Sequence, residues 1–179
     1  LSFGVQDLDP DVQQRIGRGQ TVAETVGLYE TARDLGYPSI NLDLVYGLPG
    51  QTETTMATTL DTIIELRPDR LAIYSFAYVP WIRPHQRRIP ESDLPERDLK
   101  FRLLSLISQR LIAAGYLSIG MDHFALPEDE LATAAASGTL TRNFMGYTTR
   151  GGTGVIALGS SGISDIDGAY AQNHRRLAD

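Results

Sequence analysis

Asp43 is the residue whose type and position point most directly to chemistry, because it interrupts the apolar run at residues 40–46. An unpaired carboxylate inside such a run would cost several kcal/mol to desolvate. In a β-strand, Asn41, Asp43 and Val45 would share one face, which would be turned towards a barrel interior or a sheet crevice. The pattern fits a ligand-binding carboxylate and, equally, a buried aspartate that is paired with an arginine or a backbone amide.

Other polar or small residues fall where strands are expected to end. Gln6 and Asp7 follow the first predicted strand, and Ala77 lies near the end of the third. Ligand crevices of α/β folds form at such strand ends, although an ordinary turn is the simpler interpretation. Arg18 follows the first predicted helix, where it could bind an anion or only cover the helix end.

The three histidines do not have the spacing of a metal site. His85, His123 and His174 lie far apart in the sequence, without an H-x-H or H-x-x-x-H motif. Metal-binding histidines usually occur in such short motifs. Asp122 and His123 at a strand end could form an acid–base pair, with a structural role as the alternative.

Composition limits the function classes. The chain has 179 residues, a net charge of −6, 42% hydrophobic residues and no cysteine. It is therefore expected to be globular, without the basic stripe of a nucleic-acid binder or an apolar run long enough for a membrane span. Disulfides and iron–sulfur ligation cannot come from these residues alone. The chain begins without Met and directly at a predicted strand, which suggests that it is a fragment. The protein is expected to be cytoplasmic.

Hydrophobic patterns and helix caps predict alternating strands and helices. Strands are predicted at residues 2–6, 40–46, 71–79, 117–124 and 155–158, and helices at residues 10–16, 22–35, 56–64, 95–114 and 127–137. The spacing of the first four strands is typical of βαβ crossovers, so it predicts an α/β fold with a parallel sheet. This sheet would be either small and open or the later part of a barrel.

A possible dinucleotide motif occurs near the end of the chain. Residues 152–157 match G-x-G-x-x-A, but no predicted strand immediately precedes them and a strand is predicted after them. The dinucleotide motif requires a strand before it and a helix after it. A dinucleotide-binding module is therefore a remote interpretation.

Five sequence stretches together resemble a known protein family. They are residues 3–7, 41–49 with Gln51 and Thr52, 119–125, 142–149 and 170–173. They follow one another in order along essentially the whole chain, which makes the resemblance specific. The family is that of the oxygen-independent coproporphyrinogen III oxidases (dehydrogenases), radical S-adenosylmethionine enzymes of haem biosynthesis.

The resemblance implies an α/β fold. Residues 1–126 would be the C-terminal half of a partial (β/α)6 radical barrel, and residues 127–179 would be the beginning of the following C-terminal region. The implied enzyme uses a 4Fe-4S cluster to cleave S-adenosylmethionine reductively, and the 5′-deoxyadenosyl radical takes hydrogen from a propionate of coproporphyrinogen III. Loss of carbon dioxide leaves a vinyl group, and two such reactions give protoporphyrinogen IX. A flavodoxin-type electron donor and a monomeric, cytoplasmic protein are also implied.

Matching positions imply the cofactor-binding residues. Gln6, Arg18, Asp43 and Ala77 match family positions that contact a second S-adenosylmethionine, and Ile163 matches one that contacts the cluster-bound first molecule. The family's three cluster cysteines would lie upstream of this chain. No metal ligand or catalytic residue is therefore expected within it, and alone it should be inactive.

Two hypotheses concern the substrate and the nearest alternative family. Arg83, Arg87 and Arg88 form a basic loop in a net-acidic chain and are expected to help bind the tetracarboxylate substrate; a solvated loop is the alternative. Residues 43–49 also fit a related haem chaperone, which would bind and transfer haem. The Gly-Met-Asp-His-Phe and Arg-Asn-Phe-x-Gly-Tyr-Thr motifs favour the oxidase.

Overall fold

The computed structural model describes residues 1–143 and 146–176. The chain divides into two compact units, Leu1–Thr133 and Ala134–Asp179. The elements that begin in the first unit are β1 (Ser2–Gln6), α1 (Pro10–Arg15), α2 (Val22–Asp34), β2 (Asn41–Tyr46), α3 (Glu53–Leu66), β3 (Arg70–Ser75), two 3₁₀ helices (Pro84–Arg88 and Glu91–Asp93), α4 (Arg97–Ala113), β4 (Leu117–Gly120), β5 (His123–Ala125) and α5 (Glu130–Ser137).

The first unit contains a five-stranded sheet in the order β1-β2-β3-β5-β4. The first three strands are parallel, as predicted, and β5 pairs antiparallel to β3. The register aligns Gly4 with Asp43, Asp43 with Ala72, and Ala72 with His123. These four residues therefore form one row across the sheet.

The helices begin where short-range capping signals predict. Asp9 accepts hydrogen bonds from the first-turn amides of α1, and Thr21 and Glu24 form a reciprocal capping box on α2. Thr52 and Thr55 form a similar box on α3. Such caps satisfy amides that have no partner within the helix.

Alternation along β2 separates a core face from an open face. Leu42 and Leu44 are fully buried, whereas Asn41 and Asp43 are partly exposed. Burying a leucine contributes about 1.5–3 kcal/mol, so a register slip that exchanged the two faces would be strongly opposed. The same core cluster contains Met56, Leu60 and Ile63 from α3 and Leu103, Ile107 and Leu111 from α4.

The prediction that a strand extends over residues 71–79 is wrong at its end, because β3 stops at Ser75. Beyond that point the buried side chain of Gln86 replaces a neighbouring strand as hydrogen-bond partner. Its Oε1 accepts from the Val79 amide at 2.6 Å, and its Nε2 donates to the Ala77 carbonyl at 3.0 Å. The Val79 amide and the Ala77 carbonyl therefore have a side chain, and not a neighbouring strand, as their hydrogen-bond partner.

The predicted strand at residues 117–124 is a hairpin of β4 and β5, which pair antiparallel. Gly120 and Met121 have positive φ angles of 143° and 47°, and they turn the chain. Glycine adopts positive φ without a Cβ clash. The prediction of a fourth parallel strand is therefore wrong, and the sheet is mixed.

The second unit contains short antiparallel pairs. Its strands are β6 (Thr141–Asn143), β7 (Gly146–Thr148), β8 (Ile163–Ile166) and β9 (Ala169–Gln172), paired β6 with β7 and β8 with β9. The prediction of a strand at residues 155–158 is wrong, because Val155 forms only an isolated bridge to Asp165. Ile156 and Leu158 are 75% and 90% exposed, so they lack the burial that favours a strand.

Two further findings concern sequence stretches considered above. Phe144 and Met145 of the motif at residues 142–149 lie outside the described residues. Among the helices that the structure describes, none is long and apolar enough to cross a membrane.

Candidate functional site

Gln6 lies at an irregularity where β1 ends. Its φ angle is 70°, and the register against β2 shifts between Gly4 and Gln6. A Cβ atom on Gly4 would lie only 2.7 Å from Gln6 Nε2. The amide of Gln6 therefore lies against the Gly4 backbone, in space that only glycine leaves open.

Arg18 reaches the same point from the segment after α1. Its Nη2 donates a hydrogen bond to the Gly4 carbonyl at 2.7 Å and a longer one to Gln20 Oε1 at 3.4 Å. Among the described residues, its Nε and Nη1 make no hydrogen bond. The structure thus brings Arg18 and Gln6 together around Gly4, and leaves guanidinium donors that could bind a carboxylate.

Asp43 lies beside Gly4 on the next strand. Asn41 Nδ2 donates to Asp43 Oδ1 at 2.7 Å and to Ser2 Oγ at 2.9 Å. In the described part of the chain, Asp43 has neither the arginine nor the backbone amide that a purely structural aspartate would need. Burial raises its pKa, while the Asn41 hydrogen bond and His123 oppose that shift. Asn41 therefore positions the carboxyl group, while burial disfavours its charged form.

His123 ends the row that contains Asp43, and Tyr74 lies two residues beyond Ala72 on β3. The small side chain of Ala72 separates Asp43 from His123 in the register. The rings of Tyr74 and His123 meet edge to face, with centroids 6.2 Å apart. Burial raises the pKa of Tyr74, and the negative charges of Asp43 and Asp122 raise it further. A polar cluster therefore continues across three strands, which sequence reasoning did not anticipate for Tyr74.

Asp7 has a different role from the one that its strand-end position suggested. Its side chain is fully buried and accepts hydrogen bonds from Thr59 Oγ1 at 2.9 Å, the Asp9 amide at 2.8 Å and Gln51 Nε2. Gln51 Nε2 also donates to the Val45 carbonyl at 2.8 Å. The Asp7 carboxylate therefore joins the ends of β1 and β2 to α3 and does not face a crevice.

Ala77 is exposed just after β3. Its carbonyl accepts the hydrogen bond from Gln86, and the nearby Phe76 amide donates to the Tyr46 carbonyl at 2.8 Å. The backbone at Ala77 is therefore held by two elements, at the same edge of the sheet where β1 and β2 end.

Ile163 belongs to the second unit. It lies in β8 of the second unit, partly buried, and pairs with Gln172 of β9. Its predicted contact with a cofactor stays a prediction.

The three arginines of the basic loop are exposed, and no ion pair involves them in the described part of the chain. Arg88 ends the first 3₁₀ helix and lines a cavity with His85. Arg83 and Arg87 are not among the residues that line this cavity.

The dinucleotide interpretation lacks its structural requirement. After Gly152 and Gly154, the described residues up to 176 form turns, an isolated bridge and the β8-β9 pair, without a helix. A dinucleotide pyrophosphate would need the N-terminus of such a helix.

The charged and polar groups at this site fit S-adenosylmethionine but not an iron–sulfur cluster. Arg18 offers a cation for a carboxylate, Asp43 offers an anion for a positive centre, and Gln6 offers an amide. By contrast, the chain contains no cysteine, and its described residues contain no group of three or more potential metal ligands. The charges of these residues are therefore compatible with S-adenosylmethionine, and a chain without cysteine offers no thiolate ligand for the cluster.

Comparison with known proteins supports the resemblance. Residues 1–63 match the sequence profile of the Radical SAM superfamily. The chain is 50% identical over 179 residues to the oxygen-independent coproporphyrinogen III oxidase of Pseudomonas aeruginosa, covering 100% of this chain and 39% of the relative. It is 46% identical over 177 residues to that of Escherichia coli (strain K12), covering 99% and 39%.

A solved structure of Escherichia coli coproporphyrinogen III oxidase, described as a radical SAM enzyme, has the same fold. It superimposes with a TM-score of 0.96 at 46% identity, over 99% of this chain and 41% of that chain. The chain thus spans about two fifths of the length of these relatives. The resemblance derived from the motifs, and the α/β fold that it implied, are confirmed.

Proposed function

We propose that this chain is part of an oxidoreductase acting on coproporphyrinogen III. It has the fold of a radical S-adenosylmethionine enzyme and resembles oxygen-independent coproporphyrinogen III oxidases. The reaction converts two propionates of this substrate to vinyl groups by oxidative decarboxylation and yields protoporphyrinogen IX. The observation that carries the proposal is the convergence of Gln6, Arg18 and Asp43 at the sheet edge of a chain with this similarity.

The cofactors are assigned in more detail as part of this proposal. Two S-adenosylmethionine molecules bind, the second at Gln6, Arg18, Asp43 and Ala77, and the first near Ile163. The cluster is held by cysteines upstream of this sequence, which is consistent with the absence of cysteine here. When bound, the cluster and S-adenosylmethionine supply radical initiation.

The residues of this chain bind and orient. Arg18 uses its free guanidinium donors for the methionine carboxylate, because bidentate arginine–carboxylate pairs are among the stronger hydrogen-bonded contacts. Asp43 faces the positively charged ammonium and sulfonium groups, and Gln6 orients the ligand through its amide. The Asp7 network keeps the strand ends in register while the ligand binds.

The remaining parts of the proposal concern the surroundings of the enzyme. Arg83, Arg87 and Arg88 help bind the tetracarboxylate substrate through positive charge. A flavodoxin-type reductant delivers electrons, and the protein works as a cytoplasmic monomer without a nucleic-acid or membrane partner.

The proposal is tested on the full-length protein that contains this chain. After anaerobic reconstitution with iron and sulfide, it is incubated with S-adenosylmethionine, a flavodoxin-type reductant and coproporphyrinogen III. Protoporphyrinogen IX should form, with release of two carbon dioxide molecules. Arg18→Gln should slow this conversion, whereas Arg110→Gln, which removes the ion pair between Arg110 on α4 and Asp61 on α3, should not.

An intact cluster without propionate loss would contradict the proposed reaction. If such a protein instead bound haem stoichiometrically and transferred it to an acceptor, the haem chaperone would be the better assignment.

A further inference from the structure

A cavity of about 450 Å³ opens between three segments that follow the parallel strands. Its lining comes from residues 14–17 at the end of α1, from Pro49 after β2, and from five residues of the segment after β3, namely His85, Arg88, Ile89, Pro90 and Asp93. This volume lies in the lower part of the ~300–1,000 Å³ range of small-molecule sites. The position, beyond the carboxyl ends of parallel strands, is where α/β folds bind ligands.

One wall of the cavity is built by Arg15 and Asp93, which form an ion pair. The Gly50 amide donates to the Asp93 carbonyl at 2.9 Å. A Cβ atom on Gly50 would lie 2.8 Å from Arg15 Nε, so the guanidinium packs directly on this glycine. The charge of Arg15 is therefore largely offset by Asp93, and its role is to hold the three segments together.

The other two basic side chains at the cavity are not used in this way. Arg88 and His85 both line it, and in the described ranges neither takes part in an ion pair. The cavity therefore has one unpaired guanidinium and one imidazole. A guanidinium can bind a carboxylate through two parallel hydrogen bonds.

The remaining lining is mainly apolar. Ile16, Pro49, Ile89 and Pro90 form these walls. Apolar walls with a few polar groups are typical of sites for ligands that have an apolar body and a charged arm. A free inorganic anion would gain nothing from such walls.

We propose that this cavity binds a propionate arm of the tetrapyrrole substrate, with Arg88 as the main carboxylate ligand and His85 as a second donor. The inference rests on the proposed function and narrows it, because it assigns Arg88 of the basic loop to a defined pocket. Gly17 lines the cavity and immediately precedes Arg18. The pocket and the candidate S-adenosylmethionine site therefore share one segment, so a propionate held here keeps the macrocycle beside the cofactor.

The test measures binding of two probes to the full-length protein under conditions without turnover. The first probe is coproporphyrin III, followed by its fluorescence, and the second is S-adenosylhomocysteine, followed by calorimetry. Arg88→Gln should weaken coproporphyrin III binding about 10- to 100-fold, as expected for the loss of a charged hydrogen-bond partner. It should leave S-adenosylhomocysteine binding unchanged. Arg88→Lys should recover part of the affinity because it restores charge without the planar fork.

Arg110→Gln is the matched control, since it removes the same charge from an ion pair between Arg110 on α4 and Asp61 on α3. Unchanged coproporphyrin III affinity in Arg88→Gln would overturn the assignment, as would an equal loss in the Arg110→Gln control. A loss of S-adenosylhomocysteine affinity alone would also overturn it, because the pocket would then serve the methionine carboxylate. Far-ultraviolet circular dichroism checks that each variant is folded.

The proposed function and this pocket can fail separately. Full turnover by the parent enzyme with an unchanged KM in Arg88→Gln would refute the pocket and leave the function standing. Arg88-dependent porphyrin binding in a parent protein that decarboxylates nothing would refute the function and support the pocket.

Discussion

Replacing Asp43 with asparagine removes a charge from the candidate cofactor site with little change in shape. Asn41 Nδ2 donates to Asp43 Oδ1, and an asparagine Oδ1 at position 43 can accept the same hydrogen bond. Asp43 is only partly buried in β2, so the substitution creates no cavity. Any loss of ligand binding would therefore report on the carboxylate charge itself.

The expected magnitude follows from this local environment. A hydrogen bond to a charged group contributes about 1.5–3 kcal/mol, which corresponds to about a 10- to 150-fold change in Kd. Solvent screens a partly exposed carboxylate, so the lower part of this range applies. We expect S-adenosylmethionine to bind to Asp43→Asn about 10- to 30-fold more weakly, by the same estimate.

The pH dependence has a definite sign. Burial raises the pKa of Asp43 above its ordinary value, so the carboxyl takes up its proton at a higher pH than an exposed aspartate. Protonation removes the charge that we propose attracts the cofactor cation. Affinity should therefore fall as the pH is lowered through this raised pKa, and the fall should be absent in Asp43→Asn.

The same raised pKa predicts an opposite effect on stability. The folded state binds the Asp43 proton more tightly than the unfolded state, so stability decreases as the pH rises through this range. Above both pKa values, the ionised carboxylate is destabilising. Asp43→Asn should therefore raise the melting midpoint at neutral pH, and the gain should disappear once the pH lies below both pKa values.

Calorimetric titration of S-adenosylmethionine into the full-length protein, with thermal melting at several pH values, measures both effects. Asp34→Asn is the matched control, because Asp34 is an exposed aspartate at the end of α2. Equal affinity for the cofactor in Asp43→Asn and the parent protein would refute the assigned role. A pH profile of binding that is identical in the two proteins would also refute it.

Three further predictions follow from other contacts. Gly4→Ala should weaken S-adenosylmethionine binding several-fold in calorimetry, because the new Cβ would lie 2.7 Å from Gln6 Nε2 and displace that amide; unchanged binding would contradict the role given to Gln6. Asp7→Ala should cost about 2–4 kcal/mol of local stability, measured by hydrogen exchange of the β1 and α3 amides, because buried donors lose their acceptor; unchanged exchange would show that the network is dispensable. Gln86→Leu should increase exchange of the Val79 amide by at least tenfold, since its acceptor is lost, and protection equal to that of the parent would contradict this.

Sequence alone predicted the features that depend on short-range signals. The capping box of Thr21 and Glu24 marked the start of α2, and alternation along β2 placed Asp43 on the face opposite Leu42 and Leu44. These signals are local, because they depend on residues two to four positions apart. The open face of the sheet and its central carboxylate could therefore be derived before any tertiary contact was known.

The parts that sequence reasoning missed depend on contacts between distant residues. Gln86 ends β3 by bonding the backbone at Ala77 and Val79, and nothing in the apolar run at residues 71–79 indicates that partner. The strand-end position of Asp7 predicted a crevice, but its carboxylate oxygens accept hydrogen bonds from Gln51 and Thr59, far along the chain. Short polar residues at strand ends therefore need the tertiary structure to separate ligand contacts from buried connections.

The sheet register links these local and distant features to the candidate site. Gly4, Asp43, Ala72 and His123 form one row, in which residues with little or no side chain alternate with polar ones. Gly4 leaves the space that the Gln6 amide occupies, and Asp43 is partly exposed while its strand is buried on the other face. Because side chains alternate along a strand, a slip by one residue would replace Asp43 with Leu42 or Leu44. The apolar core that stabilises β2 therefore also determines where the carboxylate lies, which explains how a destabilising charge can be kept at the centre of the site.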